Sequence, residues 1–334
     1  MPASLSPRVL VSLTAAFIAA VFVFAGVYTA TQHNPTPHQL RVGIVAPDLM
    51  VGIINTGLKI KAPGYFSLRQ YPSEASLTSA IKDRKVYGGY VYRKGSGLLL
   101  TASAAGKAAD TALLSLGTEV SKTLRQPLVP RDVAPLTSHD SQGLSSYTYQ
   151  YGVLVPSFVF AVLIFMFAHG LSLAWRFGLS AAYSVGAGII GALTVDQIVG
   201  ALPGHFFAIA ALGALYAATA VLVTWGLAAV LKYAGLALAG LLLILVGNST
   251  GGGSINQEFL PDFFRSLGQA LPNGPFIRAV RDTVYFGGHN THRAILVIAL
   301  WALGGLVLVL AAEKLPGLMA RSKKRPKAAL EPTA

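Results

Sequence analysis

The chain has 334 residues, of which 53% are hydrophobic and 12% charged, and its mean hydropathy is +0.58. Soluble domains carry about 25% charged residues, so this composition excludes an ordinary soluble protein and indicates a multipass membrane protein. The absence of cysteine excludes disulfides, thiolate nucleophiles and cysteine-ligated metals. The formal net charge of +13 can be interpreted only after the positions of the charged residues in the chain are known.

The first predicted span is the uncharged run Val9–Ala30. As a helix it would measure about 33 Å, enough to cross a hydrocarbon core of about 30 Å. A secretory signal peptide is the alternative, because the run is N-terminal and follows Arg8. The apolar part of a signal peptide is shorter, about 7–15 residues, and is followed closely by a small-residue cleavage site. We therefore expect residues 1–30 to form a cytoplasmic N terminus and an uncleaved transmembrane helix.

Residues 31–150 are richer in charge and contain no apolar run long enough to span a membrane. Alternating and β-branched residues predict strands, the last two joined as a hairpin, at Leu40–Ala46, Phe66–Tyr71, Val86–Arg93 and Gly97–Ser103. A helix is expected to begin after Ser73, with that serine as its only side-chain cap. A second, amphipathic helix is predicted at Lys107–Leu124, with Asp110 on its outer face. This segment is therefore predicted to be an α/β domain with its own core.

Residues 151–312 are predicted to form the rest of the membrane domain. Five further apolar runs lie at Tyr151–Trp175, Phe177–Leu202, Phe206–Leu231, Tyr233–Val246 and Ala294–Ala312. The fourth of these runs is short, about 21 Å, unless the following Gly-Asn-Ser-Thr extends it. Between the last two runs lies an external or half-buried excursion, residues 247–292. The expected fold is an α-helical multipass membrane protein with six transmembrane helices and an extracytoplasmic α/β domain inserted between helices 1 and 2.

The positions of Lys and Arg predict how the chain is oriented. The tail, residues 313–334, is strongly basic, and the short loops with Arg176 and Lys232 fall on its side of the membrane. The loop at Pro203–His205 has no Lys or Arg and falls on the other side. By the positive-inside rule, both termini are predicted to be cytoplasmic in a bacterial plasma membrane, with the α/β domain outside. The basic tail then faces anionic lipid, and we expect no nucleic-acid partner.

No catalytic or metal-binding motif is present. The cluster Gly251–Ser254 lacks the Gly-Lys-Ser/Thr of a phosphate-binding loop, and a chain reversal explains it better. His289 and His292 are three residues apart in a loop, a poor arrangement for a specific metal site. We therefore predict no enzyme activity, no cofactor and no metal. The many glycines of the middle spans are explained by close helix packing, although a flexible transport pathway would use the same residues.

Asp196 is the one ionisable residue inside a predicted span. A carboxylate in the bilayer centre costs at least about 2.5–3.5 kcal/mol, so it should face a cavity or a partner. It could contact substrate or couple transport, but a structural role is favoured, in which Asp196 lies near the outer interface and pairs with Arg278 or Arg281. With Tyr285, these residues are predicted to form a polar cluster on the outer face, with no catalytic role.

Three segments carry a resemblance to a known family. Val133–Phe158 contains a D-x-x-G-x-x-x-Y pattern that leads into the second helix, and Gly247–Gly288 contains the succession Gly-Gly, Leu-Pro, Leu-Pro, Arg…Tyr-Phe-Gly-Gly. Together with Tyr71–Tyr92 and the order of the parts, they resemble type-2 ABC transporter permeases, and among these the bacterial phage infection protein (YhgE/Pip) group. The resemblance implies a permease half that works as a dimer with a separate ATPase and exports a hydrophobic or cell-envelope molecule.

A second function stays open at this stage. Transporting relatives couple to their ATPase through cytoplasmic helices, but few residues precede Val9 and the joint at Ala174–Phe177 is short. The chain could instead be an envelope scaffold or receptor-like protein whose external domain binds another protein or a surface polymer, without ATP-driven transport. The lipid bilayer is an expected partner in either case.

Overall fold

A computed structural model describes residues 6–33 and 35–323 of the chain. Its α-helices are α1 Pro7–Gln32, α2 Asp48–Lys61, α3 Glu74–Lys82, α4 Lys107–Leu124, α5 Ser145–Phe167, α6 Leu173–Ala192, α7 Phe206–Leu231, α8 Tyr233–Ala239, α9 Gly247–Thr250, α10 Asp262–Ala270, α11 Asn273–Tyr285 and α12 Thr291–Lys323. Its strands are β1 Leu40–Val45, β2 Phe66–Gln70, β3 Gly88–Arg93, β4 Ser96–Thr101 and β5 Leu128–Asp132.

The protein is a helical membrane protein. Within the described residues, five helices are long and apolar enough to cross a membrane: Ser145–Gly170, Leu173–Ile198, Phe206–Leu231, Tyr233–Thr250 and Thr291–Lys314. The fourth of them does extend through Gly-Asn-Ser-Thr, because a π-helical segment joins α8 to α9. Helix α1 has 26 residues, and its part Ile18–Gln32 is a shorter apolar helix. A sixth span stays a prediction.

Helix α7 forms the centre of the helical bundle and packs against α5, α6 and α12. It is apolar on all sides and has buried residues along its whole length, as expected for a helix enclosed by others. Close approach depends on glycine. A Cβ on Gly188 of α6 would overlap the carbonyl oxygen of Ala210, and one on Gly305 of α12 would meet the backbone of Leu222. The backbones therefore touch where the side chain is smallest.

Two contacts identify which elements meet at each end of the bundle. At one end, Arg176 at the start of α6 pairs with Glu313 near the end of the last candidate span, at 3.1 Å between Nη1 and Oε1. At the other end, the hydroxyl of Thr137 in the α/β domain donates to the carbonyl of Ala201, 2.8 Å away. The basic joint at Arg176 and the end of α12 thus lie together, and the α/β domain lies at the opposite end.

The α/β domain is built on a five-stranded sheet in the order β2-β1-β3-β4-β5. Strands β3 and β4 form the predicted antiparallel hairpin, and the other neighbouring strands are parallel. A Cβ on Gly43 would overlap Leu77 of α3, whereas one on Gly88 would meet Leu113 of α4. Because Gly43 pairs with Gly89, the neighbour of Gly88, α3 and α4 cover opposite faces of the sheet.

Four details of this domain differ from the sequence-based expectation. Ser73 is not the only cap of α3, because Ser76 also accepts a hydrogen bond from the backbone of Ser73 and the two form a reciprocal capping box. Asp110 is buried, although it was expected on the outer face of α4, and burial raises the pKa of its carboxyl. Helix α2 and strand β5 were not predicted.

Helices α10 and α11 form a hairpin that enters the bundle from the end near the α/β domain. At the tip of the hairpin, where α10 ends, the carbonyl of Ala270 accepts a hydrogen bond from the Trp301 indole of α12, 2.7 Å away. Trp301 lies ten residues after Thr291, so the hairpin tip lies about 15 Å along the candidate span. Nearby, the Phe276 ring stacks on Tyr216 of α7 with ring centroids 4.4 Å apart. The predicted excursion therefore contains a helical hairpin whose tip packs inside the bundle.

The hairpin segment and the α/β domain share one hydrophobic core. Phe259 and Phe286, which flank the hairpin, pack with Leu77, Leu100 and Leu113 of the domain. The domain is thereby fixed to the membrane part by apolar burial. Helix α12 continues into the predicted basic tail as far as Lys323. The rest of that tail, residues 324–334, and residues 1–5 of the predicted N terminus lie outside the described residues.

Candidate functional site

One side of α11 carries three of the four predicted site residues. Arg278, Arg281, Asp282 and Tyr285 follow the spacing i, i+3, i+4, i+7, which places them on the same face of a helix. The opposite part of α11, including Phe276 and the residues around it, is buried in the bundle. The polar face is consequently directed toward the α/β domain and the loops that lead to it.

Arg281 is a buried cation held by backbone oxygens. It is 6% exposed, and its guanidinium donates to the carbonyls of Gly143 at 2.8 Å, Gly253 at 3.1 Å and Gly252 at 3.3 Å. Burial, together with the nearby Arg84 guanidinium, lowers the pKa of Arg281 to about 10, so the side chain stays charged at neutral pH. The glycine loop predicted as a chain reversal is thus also a cradle for a guanidinium group.

Tyr285 connects α11 to the start of α5. Its hydroxyl donates to Oδ2 of Asp140 at 3.2 Å, and Oδ1 of Asp140 accepts from the backbone and the hydroxyl of Ser145 at 2.9 and 2.7 Å. Asp140 therefore stabilises the first turn of α5, where a carboxylate also favours the helix dipole. Burial raises the pKa of the Tyr285 hydroxyl, which keeps it a neutral donor.

The two sequence segments that carry the main family resemblance meet here. Asp140, Gly143 and Tyr147 of the D-x-x-G-x-x-x-Y pattern contact residues of the second segment: Tyr285, Arg281 and Asn248, respectively. The amide of Asn248 donates to the Tyr147 hydroxyl at 3.1 Å. These motif residues hold the loop before α5 against the hairpin.

Asp282 forms an ion pair that the sequence did not predict. Its carboxylate is 1% exposed and lies 3.1 Å from Nε of Arg84, which belongs to the turn between α3 and β3. The Arg84 guanidinium also lies over the Phe286 ring, 4.6 Å from the centroid. Burial raises the pKa of Asp282, and the Arg84 charge opposes this rise. No local sequence pattern joins two residues separated by about 200 positions.

The predicted pairing of Asp196 with Arg278 or Arg281 is wrong. Asp196 is buried in the π-helical segment Leu193–Ile198, and its Oδ1 accepts from the backbone N–H of Gly204 at 2.9 Å. The carboxylate thus closes the turn at the end of its own span. Among residues 6–33 and 35–323, it forms no ion pair. The partner of Asp196 is a backbone amide, which short-range turn geometry supplies.

Arg278 belongs to a polar cleft between the hairpin, the start of α12 and the edge of the α/β domain. Its guanidinium donates to Oε1 of Gln257 at 2.9 Å. The cleft has a volume of about 680 Å³. Its charged lining consists of five arginines, Arg41, Arg84, Arg265, Arg278 and Arg293, and two carboxylates, Glu258 and Asp282. Apart from Arg278, these residues were not predicted, because they come from separate parts of the chain: β1, the α3–β3 turn, the hairpin segment and α12.

The cleft can bind an anion, since cations outnumber anions along its walls and guanidinium groups bind carboxylates and phosphates in bidentate fashion. In the part of the chain that the structure describes, no three His, Asp or Glu side chains come together as a metal site. Comparisons of the chain with protein-family models, with curated proteins and with solved structures give no match.

Proposed function

We propose that the chain is a membrane permease subunit of the ABC type-2 class, which works as a homodimer with a separate ATPase and exports a hydrophobic or cell-envelope molecule. The observation that carries the proposal is the helical hairpin α10–α11, which reaches about 15 Å into the bundle just before the last span. Irregular backbone at this depth is tolerated only where it is buried in protein or lines a cavity. Such interrupted helices are common at transport pathways.

Two spans also contain π-helical segments, Leu193–Ile198 and Gly240–Val246. π-Helical segments are rare overall, but those that occur are often found at functional sites, where they loosen the regular helix. Because α7 fills the centre of the bundle, a path for a substrate would have to run between two copies or along the bundle surface. A homodimer fits that requirement.

In this proposal, the end of the bundle with Arg176 and Lys232 is cytoplasmic, and α1 forms a sixth span. The α/β domain and the polar cleft then face the outside of a bacterial plasma membrane. The positive-inside rule supports this orientation, since Arg176, Lys232 and Lys314 belong to one end of the bundle.

A specific observation favours the second candidate, an envelope scaffold or receptor-like protein. At the end with Arg176, α5 and α6 are joined only by the short segment 168–172, and α7 and α8 only by Lys232. Neither joint contains a helix of the size that would dock an ATPase. In the scaffold alternative, the α/β domain binds a protein or a surface polymer, and no ATP is used.

Purification of the tagged chain from its native membranes in a mild detergent separates the two functions. The permease proposal predicts a dimer that carries an ATPase with a phosphate-binding loop in fixed stoichiometry. It also predicts that deletion of the gene lowers the amount of a lipid or polymer in the outer envelope. Recovery of the chain without any ATPase, together with an unchanged envelope composition, would replace the permease by the scaffold.

A further inference from the structure

The polar cleft has a surplus of positive charge. Five guanidinium groups face two carboxylates, and one of these, Asp282, is already paired with Arg84 at 3.1 Å. A cavity with low-dielectric walls and one sign of charge concentrates ions of the opposite sign. The cleft therefore favours an anionic occupant.

Two arginines on different walls are available for such an occupant. Arg265 donates to Asp262 and to the carbonyl of His38, and Arg278 donates to Gln257. In contrast, the guanidinium groups of Arg41, on β1, and Arg293, on α12, form no hydrogen bond or ion pair with any residue of 6–33 or 35–323, and that of Arg41 lies over the Tyr87 ring, 5.8 Å from its centroid. Their guanidinium donors can bind an external anion, and a phosphate group fits their planar geometry.

The place of the cleft points to a membrane amphiphile. Its floor includes Ala294 and Val297, in the first turns of the candidate span Thr291–Lys314. A charged group in the cleft would lie at the end of that span, where lipid headgroups lie. The volume of about 680 Å³ is far larger than a single phosphate ion requires and lies within the range of small-molecule sites.

An apolar track continues from the cleft along α12. Arg293, Leu296, Val297 and Leu300 follow the spacing i, i+3, i+4, i+7 and so share one helix face. Leu296 and Leu300 are 58% and 56% exposed, and Leu303 follows one turn later with 54%. A cation at the end of a membrane helix and an exposed apolar face below it match the two parts of a charged lipid.

From these observations we infer that the cleft binds the phosphate headgroup of an anionic membrane amphiphile, with Arg41 and Arg293 as its main contacts and the chains along Leu296 and Leu300. This site deepens the proposed function, because it names the class of molecule that a permease would take. Binding itself needs no ATPase, so it can be measured on the purified chain alone.

The test measures binding of three probes to the full chain in a neutral maltoside detergent. The probes are dioctanoyl phosphatidylglycerol, dioctanoyl phosphatidylcholine and inorganic phosphate. We expect the anionic lipid to bind at least tenfold more tightly than either of the others. Arg293→Gln and Arg41→Gln should each weaken its binding tenfold or more. Arg69→Gln removes one arginine from the exposed edge strand β2, outside the cleft, and should leave the affinity unchanged.

A further variant separates the headgroup from the chains. Leu296→Gln should weaken the lipid but not inorganic phosphate, because only the lipid has chains to place on α12. Arg293 is exposed, so Arg293→Gln is expected to fold, which gel filtration verifies. Equal lipid affinity in Arg293→Gln, Arg41→Gln and the unchanged protein would overturn the site. Phosphate that binds as tightly as the anionic lipid would overturn the lipid assignment.

The outcomes for this site and for the permease are distinguishable. If the chain does not bind the anionic lipid, the proposed site is refuted. An ATPase that copurifies with the chain would then still support the permease. Lipid binding without any ATPase keeps the site and favours the scaffold.

Discussion

The side chain of Asn256 lies against Gly106 and caps the start of helix α4, although the two residues are 150 positions apart in the chain. Its Oδ1 accepts from the backbone N–H of Ala109 at 3.3 Å, and its Nδ2 donates to the carbonyl of Ala105 at 2.9 Å. Gly106 has φ +136°, and a Cβ there would overlap the Asn256 amide. The segment before the hairpin thus supplies the cap that the residue at the start of α4 lacks, which joins the α/β domain to the membrane part by a hydrogen-bonded contact as well as by apolar burial.

Removal of this cap should destabilise the protein. Asn256→Ala leaves the N–H of Ala109 and the carbonyl of Ala105 without their partner, and loss of an N-cap costs about 0.5–2 kcal/mol. Thermal melting of the detergent-solubilised chain should show a lower Tm. Thr118→Ala, on the exposed side of the same helix, is the control and should change Tm little. An unchanged Tm in Asn256→Ala would mean that the cap contributes nothing.

Two glycines on α6 form a matched pair for testing helix packing. A Cβ on Gly188 would overlap the carbonyl oxygen of Ala210 on α7, whereas a Cβ on Gly186 meets no atom within 4 Å. Gly188→Ala should therefore force α6 and α7 apart and cost about 1–3 kcal/mol. Gly186→Ala should be neutral or slightly stabilising, because alanine is the better helix former. Folded yield and Tm check both, and equal effects of the two changes would refute close packing at Gly188.

Asp196 should behave as an acceptor for a backbone amide and not as half of an ion pair. Asp196→Asn retains an oxygen for the N–H of Gly204, so its effect on stability should be small. Asp196→Leu leaves that donor without a partner at a cost of about 1–3 kcal/mol.

A double-mutant cycle decides whether Asp196 interacts with Arg281. The effects of Asp196→Asn and Arg281→Gln on the unfolding free energy should add within about 0.5 kcal/mol, since the two side chains have separate partners. A coupling energy above about 1 kcal/mol would restore the ion pair that the sequence suggested.

Stability of the α/β domain should depend on pH through Glu74. Hydrogen bonds from Arg93 and then from Arg131 lower its pKa below the usual 4.5. Because the folded pKa is the lower one, this contribution is present above about pH 4.5 and is lost as the pH falls through the folded pKa. Glu74→Gln should lower stability at pH 7 by up to about 1 kcal/mol, since the pair is partly exposed. Its difference from the unchanged protein should disappear in acid, and a difference that is constant with pH would exclude the ion pair.

The absence of cysteine allows the proposed orientation to be tested directly. Lys94→Cys lies at the tip of the β3–β4 hairpin, and Lys314→Cys lies at the end of the last candidate span. A membrane-impermeant maleimide should label Lys94→Cys in intact cells, or in spheroplasts where an outer barrier is present, and Lys314→Cys only after the membrane is opened. The reverse pattern would turn the proposed topology around.

The membrane character and most local elements could be predicted from the sequence alone. The apolar run Phe206–Leu231 matches α7, and the amphipathic run Lys107–Leu124 matches α4. Hydrophobic periodicity and run length are local properties, so they are visible in the chain itself. Helix α2 contains Gly52 and Gly57 and was missed, and β5 contains Pro130, which masks a strand at the edge of a sheet.

The contacts of the candidate site were decided by the tertiary structure. The face of α11 with Arg278, Arg281 and Tyr285 follows from helical spacing. The pairing of Asp282 with Arg84, in contrast, joins two residues about 200 positions apart, which only the complete fold brings together. The cleft needs Arg41 and Arg293, which the fold brings to one place from strand and helix. Apolar burial drives this assembly and is not directional, so the sequence shows which segments are buried but not which polar groups then meet.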